Sequence, residues 1–494
     1  MIVRISFVLA ALLAAASPSA AQAGKWSYVA QSNAPVPREE CSFAQAGGKF
    51  YLLGGRGVSP VQEYNPAGKA WKDLGKTPVE LNHFQALSLH GLVYVVCALN
   101  GAYPHEVPVP NMYIFDPLTD TWIKGMTIPQ ERLRGSAGVA FANGKIYVAL
   151  GIKDGHSSGW VPYLDEYDPA TGAWKALADA PRERDHFQTA IANGRLYALG
   201  GRRSSYKVNN VQDIFFDLEK VDVYDIAKAS WSTLPAASNH PLLRSGTVNT
   251  TLGDEIIVAG GGSLVNGSLA HKETHALNTV TNAWRALAPL NTGRQVLGGV
   301  LNNGGIYLAS GSGGSGGSPT LNTMEVFFLG DSTAPSGAAL SVGQVAAAET
   351  PFNLGMIATG QKGSRVLEIK HSGGTQGVLI SGATVTGTGF AIKAAPAYPV
   401  LAAPGMPVSV ELEFASTGTA ADGILELALA VPKGVTVKIP LEANRKALSV
   451  SPRARVKARG AVSGISGSAW RIREPGRKDV YRNGNGRLTP RSGP

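Results

Sequence analysis

The chain has 494 residues, enough for more than one domain and for a sizeable core. Its formal charge of +10 sits at one end: Arg445 to Pro494 carries 13 Lys and Arg against Glu474 and Asp479, which leaves 32 bases and 33 acids upstream. A near-neutral body excludes nucleic-acid binding driven by net charge, and no nucleic-acid partner is expected.

The N-terminus reads as an export signal. Arg4 precedes an apolar run from Ile5 to Ala16, and Ala21-Gln22-Ala23 supplies the small residues of a cleavage site. Residues 1–23 are therefore expected to be a signal peptide, and the mature protein to be secreted or periplasmic. No later stretch is a long uninterrupted apolar run, so no transmembrane segment is expected.

A repeat begins at Trp26. Trp26, Trp71, Trp122, Trp174, Trp231 and Trp284 are separated by 45, 51, 52, 57 and 53 residues. Around each of them recurs an apolar strand of small residues, a turn such as Asn143-Gly144-Lys145 and a strand ending in glycines. A third strand then carries an aromatic residue before an acid or Asn, and the tryptophan strand closes the unit. Short β-branched and aromatic runs between turn residues predict a four-stranded antiparallel unit. One such sheet cannot bury both faces, so the units must stack around an axis as a six-bladed propeller. Trp26 precedes the first complete unit, whereas the last unit, with Ile306 and Glu325, lacks a tryptophan strand. The N-terminal strand is expected to complete that last blade and leave no free edge.

The pairs Gly54-Gly55, Gly200-Gly201 and Gly260-Gly261, the tyrosine-acid-proline steps and the spaced tryptophans resemble the kelch family over roughly residues 25 to 330. Cys97-Ala98 and Leu277 depart from the pattern in blades two and five. The resemblance implies an all-β fold with a kelch β-propeller over residues 24–330. Composition then shifts to turn residues over 331–338, a linker.

From 339 to 450 come short strands such as VSVELEF and ILELALAV, which argue for a β-sandwich. Phe352-Asn353-Leu354-Gly355 and the VTGTGFAI stretch resemble the Ig-like repeats of secreted bacterial proteins related to the ASPM/SPD-2/Hydin group. Residues 451–494 read as a disordered basic tail, either a contact for acidic surfaces or the remnant of a second repeat.

Aligning the units brings Arg38, Leu81, Arg134, Arg184, Arg244 and Arg294 to one register at the entry of the innermost strand. Arg56 and Arg202, each after a glycine pair, are expected on the same face. A guanidinium can fork onto a carboxylate, so these arginines could hold an acidic sugar or peptide. They could equally bond loop carbonyls or pair with Glu63, Glu166 and Glu325.

His83 and His186 lie two residues beyond that register and should point toward the axis if strand alternation holds. They could serve as acid and base. With no third ligand at matching register, neither a metal nor any other cofactor is expected. His271 and His275 are four apart, which on a strand does not make a chelate.

The loop from Arg202 to Lys220, with Tyr206, Phe215 and Phe216, is the expected partner contact. Cys41 and Cys97 fall in adjacent blades on different strand types, and a bond between them stays open. The function expected is recognition or adhesion, with loops at one propeller mouth binding a glycan or an extracellular surface protein. The alternative is a sugar-processing enzyme, since exported kelch propellers include sialic-acid mutarotases and copper oxidases of the galactose oxidase type. The mutarotase-like form would use His83 and His186 as its acid and base, whereas the oxidase needs Tyr and His ligands that are harder to find here.

Overall fold

The computed structural model describes residues 23–205, 218–263, 270–295, 298–314 and 316–445, together with the backbone of Tyr481–Arg482 and Leu488–Thr489. The expected signal peptide, the loop residues Tyr206, Phe215 and Phe216, and nearly all of the basic tail lie outside the described residues. The two short tail strands pair with each other in antiparallel fashion.

Six four-stranded antiparallel sheets form the propeller. Blade one consists of Cys41–Ala46, Lys49–Gly54, Pro60–Asn65 and Ala70–Lys76. The same order recurs from Leu87–Leu89 to Thr121–Thr127, from Gly138–Ala142 to Ala173–Ala176, from Gln188–Ala192 to Ser230–Thr233 and from Val248–Leu252 to Trp284–Leu287.

Blade six takes Val300–Asn302, Gly305–Ala309 and Met324–Phe328 from one end of this region and Lys25–Tyr28 from the other. Trp26 lies opposite Phe327 and Tyr28 opposite Glu325. Trp26 is buried with Ile306 and Phe327, so the strand that closes the ring is anchored by its indole.

The glycine pairs stitch neighbouring blades together. In five junctions the glycine at the second position, preceded by another glycine in three of them and by Leu150 or Ser310 in the others, donates its N–H to the carbonyl of the residue in the arginine register of the next blade: Gly55 to Leu81, Gly151 to Arg184, Gly201 to Arg244, Gly261 to Arg294 and Gly311 to Arg38. Each of these glycines has φ between 89 and 118°, a conformation that side chains resist. The bond from Gly311 to Arg38 links blade six to blade one and completes the circle.

Behind the propeller lies a two-sheet β-sandwich. One sheet is ordered Gln344–Ala347, Lys362–Gly373, Val408–Ala415, Phe390–Ala394; the other is Phe352–Asn353, Thr436–Ala443, Ala421–Val431, Val378–Thr386, Val400–Ala402. Alternate residues such as Val408, Val410, Leu412 and Phe414 turn inward against Leu425, Leu427 and Leu441, as period two requires.

The sandwich packs on blades two and three, where Leu379, Leu401, Met406 and Val431 share a buried cluster with Leu92, Tyr94, Ile114 and Tyr167. Gln376 Nε2 donates to Asp116 Oδ1 at 2.6 Å and Leu401 N–H to the Pro169 carbonyl at 2.6 Å. The segment before it runs across the first hairpins of the blades: Ser336 N–H bonds Asn302 Oδ1, and Leu340 lies against Gly47 and Gly91. Linker and sandwich thus occupy the end of the ring opposite the glycine-pair loops.

Cys41 and Cys97 are buried free thiols, so the bond left open by the sequence is not made. Burial pushes each thiol up to about 11. Among the described residues no helix is long and apolar enough to cross a membrane.

Candidate functional site

The arginine register is a ring of internal braces. Arg134 bonds the Leu150, Arg132 and Val148 carbonyls and pairs with Asp165 Oδ2 at 2.8 Å. Arg184 reaches the Gly200 carbonyl and Asp222, Arg244 the Gly260 and Glu273 carbonyls and His275 Nδ1, and Arg294 the Ser310 carbonyl and Glu325. Arg38 uses the Gly54 and Pro60 carbonyls and Gln62.

All five arginines are buried, so the reading in which they greet a ligand gives way to the bracing role. Their partners Gln62, Asp165, Asp222, His275 and Glu325 each stand two residues before the aromatic residue of the blade's repeat register, or before Leu277 in its place. Of the acids expected as partners only Glu325 is one, because Glu63 and Glu166 project from the opposite face of their strands and bond Tyr51 and Tyr147.

Two residues beyond this register the chain does something else. Glu40, His83, Ser136 and His186 have φ of 55, 51, 52 and 52°, and Gly246 has 63°. Alternation along a strand therefore does not orient His83 and His186, since both precede their strands; a left-handed backbone does, at a cost of about 1–2 kcal/mol each. Blades two and four are not neighbours, yet the His83 and His186 rings lie 4.5 Å apart, which places both near the axis.

A third histidine joins them. His156 stands 4.8 Å from His83 and 4.7 Å from His186, ring centre to ring centre, and its Nε2 is 3.1 Å from His186 Nε2. The expectation of a metal-free mouth rested on there being only a pair, and that premise is corrected. His156 escaped the register because it comes from a hairpin, Ile152–Asp154 with Ser158–Trp160, inserted between the second and third strands of blade three.

The matching insertion in blade two, Leu99–Asn100 with Val107–Pro108, delivers Glu106. The two hairpins touch: His156 N–H bonds the Pro104 carbonyl, and a Cβ on Gly155 would lie 2.0 Å from Glu106 Oε2. A sequence signal existed in the paired appearance of His105-Glu106 and Gly155-His156 at the same place in adjacent blades.

Carboxylates and guanidiniums surround the imidazoles. His156 Nδ1 is 3.0 Å from Glu106 Oε1, His186 Nδ1 is 2.5 Å from Asp185 Oδ2, and His83 Nε2 is 2.8 Å from Glu40 Oε1. Arg56 bridges Glu40 and Glu106, with Nε–Oε2 of 2.5 Å and Nη2–Oε1 of 2.6 Å. Ser204 gives its hydroxyl to Asp185 at 2.6 Å and receives Arg202 Nε at 2.8 Å. Arg56 and Arg202 do meet on this face as expected, in the service of these carboxylates.

Burial lowers His156 to about 4, against the pull of Glu106, and drives His186 well below the usual histidine range with Arg202 adding to the effect. Burial also raises Asp185 to about 6, against Arg202 and Ser204. For Glu106 burial acts upward, but the hydrogen bond and charge of His156 overcome it and hold the carboxyl low.

The rim is aromatic. Tyr103 is 50% exposed and lies 4.9 Å from the His156 ring, while half-buried Trp160 donates to the Ser204 carbonyl at 2.7 Å with Arg203 over its ring. The opposite end of the channel differs. There a cavity of about 340 Å³ is lined by Phe43–Gly47, Ser88–Gly91 and Gly299–Leu301, with His90 its one ionisable side chain.

Residues 19–269 match the family model described as the Attractin/LZTR1 beta-propeller. Kelch-like protein terF of Aspergillus terreus is 28% identical over 279 residues, 53% of this chain and 59% of that protein. Kelch-like protein 23 of Homo sapiens is 29% identical over 192 residues, 38% of this chain and 30% of that protein. The chain thus spans less than two thirds of the length of these relatives. The solved "Structure of YjhT" superposes with a TM-score of 0.48 at 17% identity, covering 59% of this chain and 95% of that one.

Proposed function

The chain belongs to the Attractin/LZTR1 β-propeller family, and from that premise we propose that it is an exported recognition protein that seats a glycan, or a polar loop of a surface protein, at the histidine-bearing mouth. One observation carries the reading: side chains from blades one to four converge there, whereas the arginine ring beneath turns its terminal nitrogens to partners within the blades. Charged groups at the floor suit hydroxyls, and the Tyr103 and Trp160 rings at the rim suit the apolar face of a sugar. The run from Arg4 to Ala23 supports export, and the sandwich, read as Ig-like, would hold the propeller away from its attachment point.

A second reading has its own support. Three imidazole–carboxylate pairs at one mouth could supply the acid and base of sugar-ring opening. The experiment is a screen of neutral and acidic monosaccharides and oligosaccharides for binding and for turnover, using metal-stripped full-length protein and its Tyr103→Ala and Arg56→Ala variants. Recognition expects binding that both variants weaken, with no product. Product formation would move the assignment to the enzyme, and no binding by any glycan would leave a protein partner to be sought by cross-linking.

A further inference from the structure

The three mouth histidines share a feature that a recognition floor does not require. Each has Nδ1 engaged from outside the trio: His83 by Asn82 Oδ1 at 2.8 Å, His156 by both Glu106 oxygens at 3.0 and 3.1 Å, and His186 by Asp185 Oδ2 at 2.5 Å. An ionised carboxylate only accepts, so His156 and His186 carry their protons on Nδ1. Their Nε2 atoms then face each other as lone pairs 3.1 Å apart. His83 Nε2 is buried as well and makes no aligned hydrogen bond, its approach to Glu40 being oblique.

We propose that this mouth binds one divalent cation of the zinc class through the Nε2 atoms of His83, His156 and His186. A ligand nitrogen from each histidine lies within 4.8 Å of the others. A tetrahedral ion with bonds of about 2.0–2.1 Å wants nitrogens about 3.3 Å apart, a spacing that His156 and His186 nearly hold already. Small ring rotations would bring His83 to it.

Glu106 and Asp185 do for these imidazoles what outer carboxylates do in metal sites generally, fixing the tautomer and the ring direction. Charge agrees: Glu40, Glu106 and Asp185 outnumber Arg56 and Arg202 by one. Three histidine ligands would leave a fourth position for water or a ligand. This inference goes beyond the glycan reading and does not rest on it.

The test is calorimetric titration of EDTA-stripped full-length protein with ZnCl₂. One ion per chain is expected, with affinity reduced more than about 100-fold by His156→Gln or His186→Gln and about 10–100-fold by Glu106→Gln or Asp185→Asn. His271→Gln should change nothing, and circular dichroism checks that each variant folds.

Co²⁺ in place of Zn²⁺ should give the intense visible bands of a four-coordinate ion in the unaltered protein, which reads the site without any substitution. The proposal is overturned by no stoichiometric uptake, by uptake undiminished in His156→Gln and His186→Gln, or by a weak six-coordinate cobalt spectrum. The two histidines would then share a proton. Because the glycan screen uses stripped protein, capture without zinc uptake would remove this inference alone.

Discussion

Two tiers of buried polar side chains surround the same axis, and they are built on opposite principles. In the lower tier each arginine spends its terminal guanidinium nitrogens within its own repeat, on carbonyls and one partner two residues before the aromatic position, so one solution is copied in five blades. In the upper tier the blades lean on one another: Glu40 of blade one meets His83 of blade two, Arg56 ties Glu40 to Glu106, and His156 of blade three meets both Glu106 and His186, which blade four's own Asp185 orients. Repetition is the mark of a brace, and departure from it under backbone strain is the mark of a site.

The strongest way to break the lower tier is Arg294→Leu. It leaves Glu325, wholly buried, without its cation, and removing one partner of a buried pair costs about 3–5 kcal/mol. Urea unfolding should show that loss, and a change under about 1 kcal/mol would deny the bracing role.

Gly155→Ala attacks the upper tier at its tightest contact. With φ of +38° and Glu106 in the way, an added Cβ must push the carboxylate off His156. Zinc affinity should fall about 10–100-fold, while the unfolding midpoint moves far less than in Arg294→Leu.

The junction with the sandwich offers an intermediate case. Gln376→Leu removes one donor from the buried Asp116 carboxylate, which keeps the Leu118 N–H and the Thr119 hydroxyl, and this should cost about 1–3 kcal/mol. Limited proteolysis should release the sandwich sooner, with the mouth unaffected.

The fold was legible because its determinants are local and repeated. Trp26 lacking a preceding unit, and the last unit lacking a tryptophan, announced the closure that Trp26 opposite Phe327 displays. The arginine register was legible too, with its partner Glu325, but the other partners were not, since a shift of one residue moves a strand side chain to the other face, and Glu63 and Glu166 were one residue off.

The site was half legible. His83 and His186 share the repeat register, whereas Glu106 and His156 ride on hairpins outside it, and only the touching of those hairpins brings them in. Register analysis finds what repeats, and this site is made of what does not.

The smallest expected effect lies in blade five, where the lower tier uses a histidine in place of an acid. Burial first, and then Arg244, hold His275 at about 4, and neighbouring His240 is held well below the usual range; Glu273 pulls His275 the other way. Both groups bind protons more readily unfolded, at about 6.5. Their neutral forms therefore support the fold above pH about 6.5, and that support is lost as pH falls toward about 4. Unfolding measured across that window should show the decline, and His275→Gln should make it shallower.

The most direct measurement compares unfolding free energies of Arg294→Leu and of the double variant His83→Asn/His186→Asn. Asparagine accepts the left-handed backbone that both histidines strain to hold. If the upper tier is a site and the lower tier a brace, the double variant keeps the stability of the parent to within about 1 kcal/mol while the arginine variant loses about 3–5. Equal losses in the two would contradict the account, since the histidines would then be holding the ring together as the arginines do.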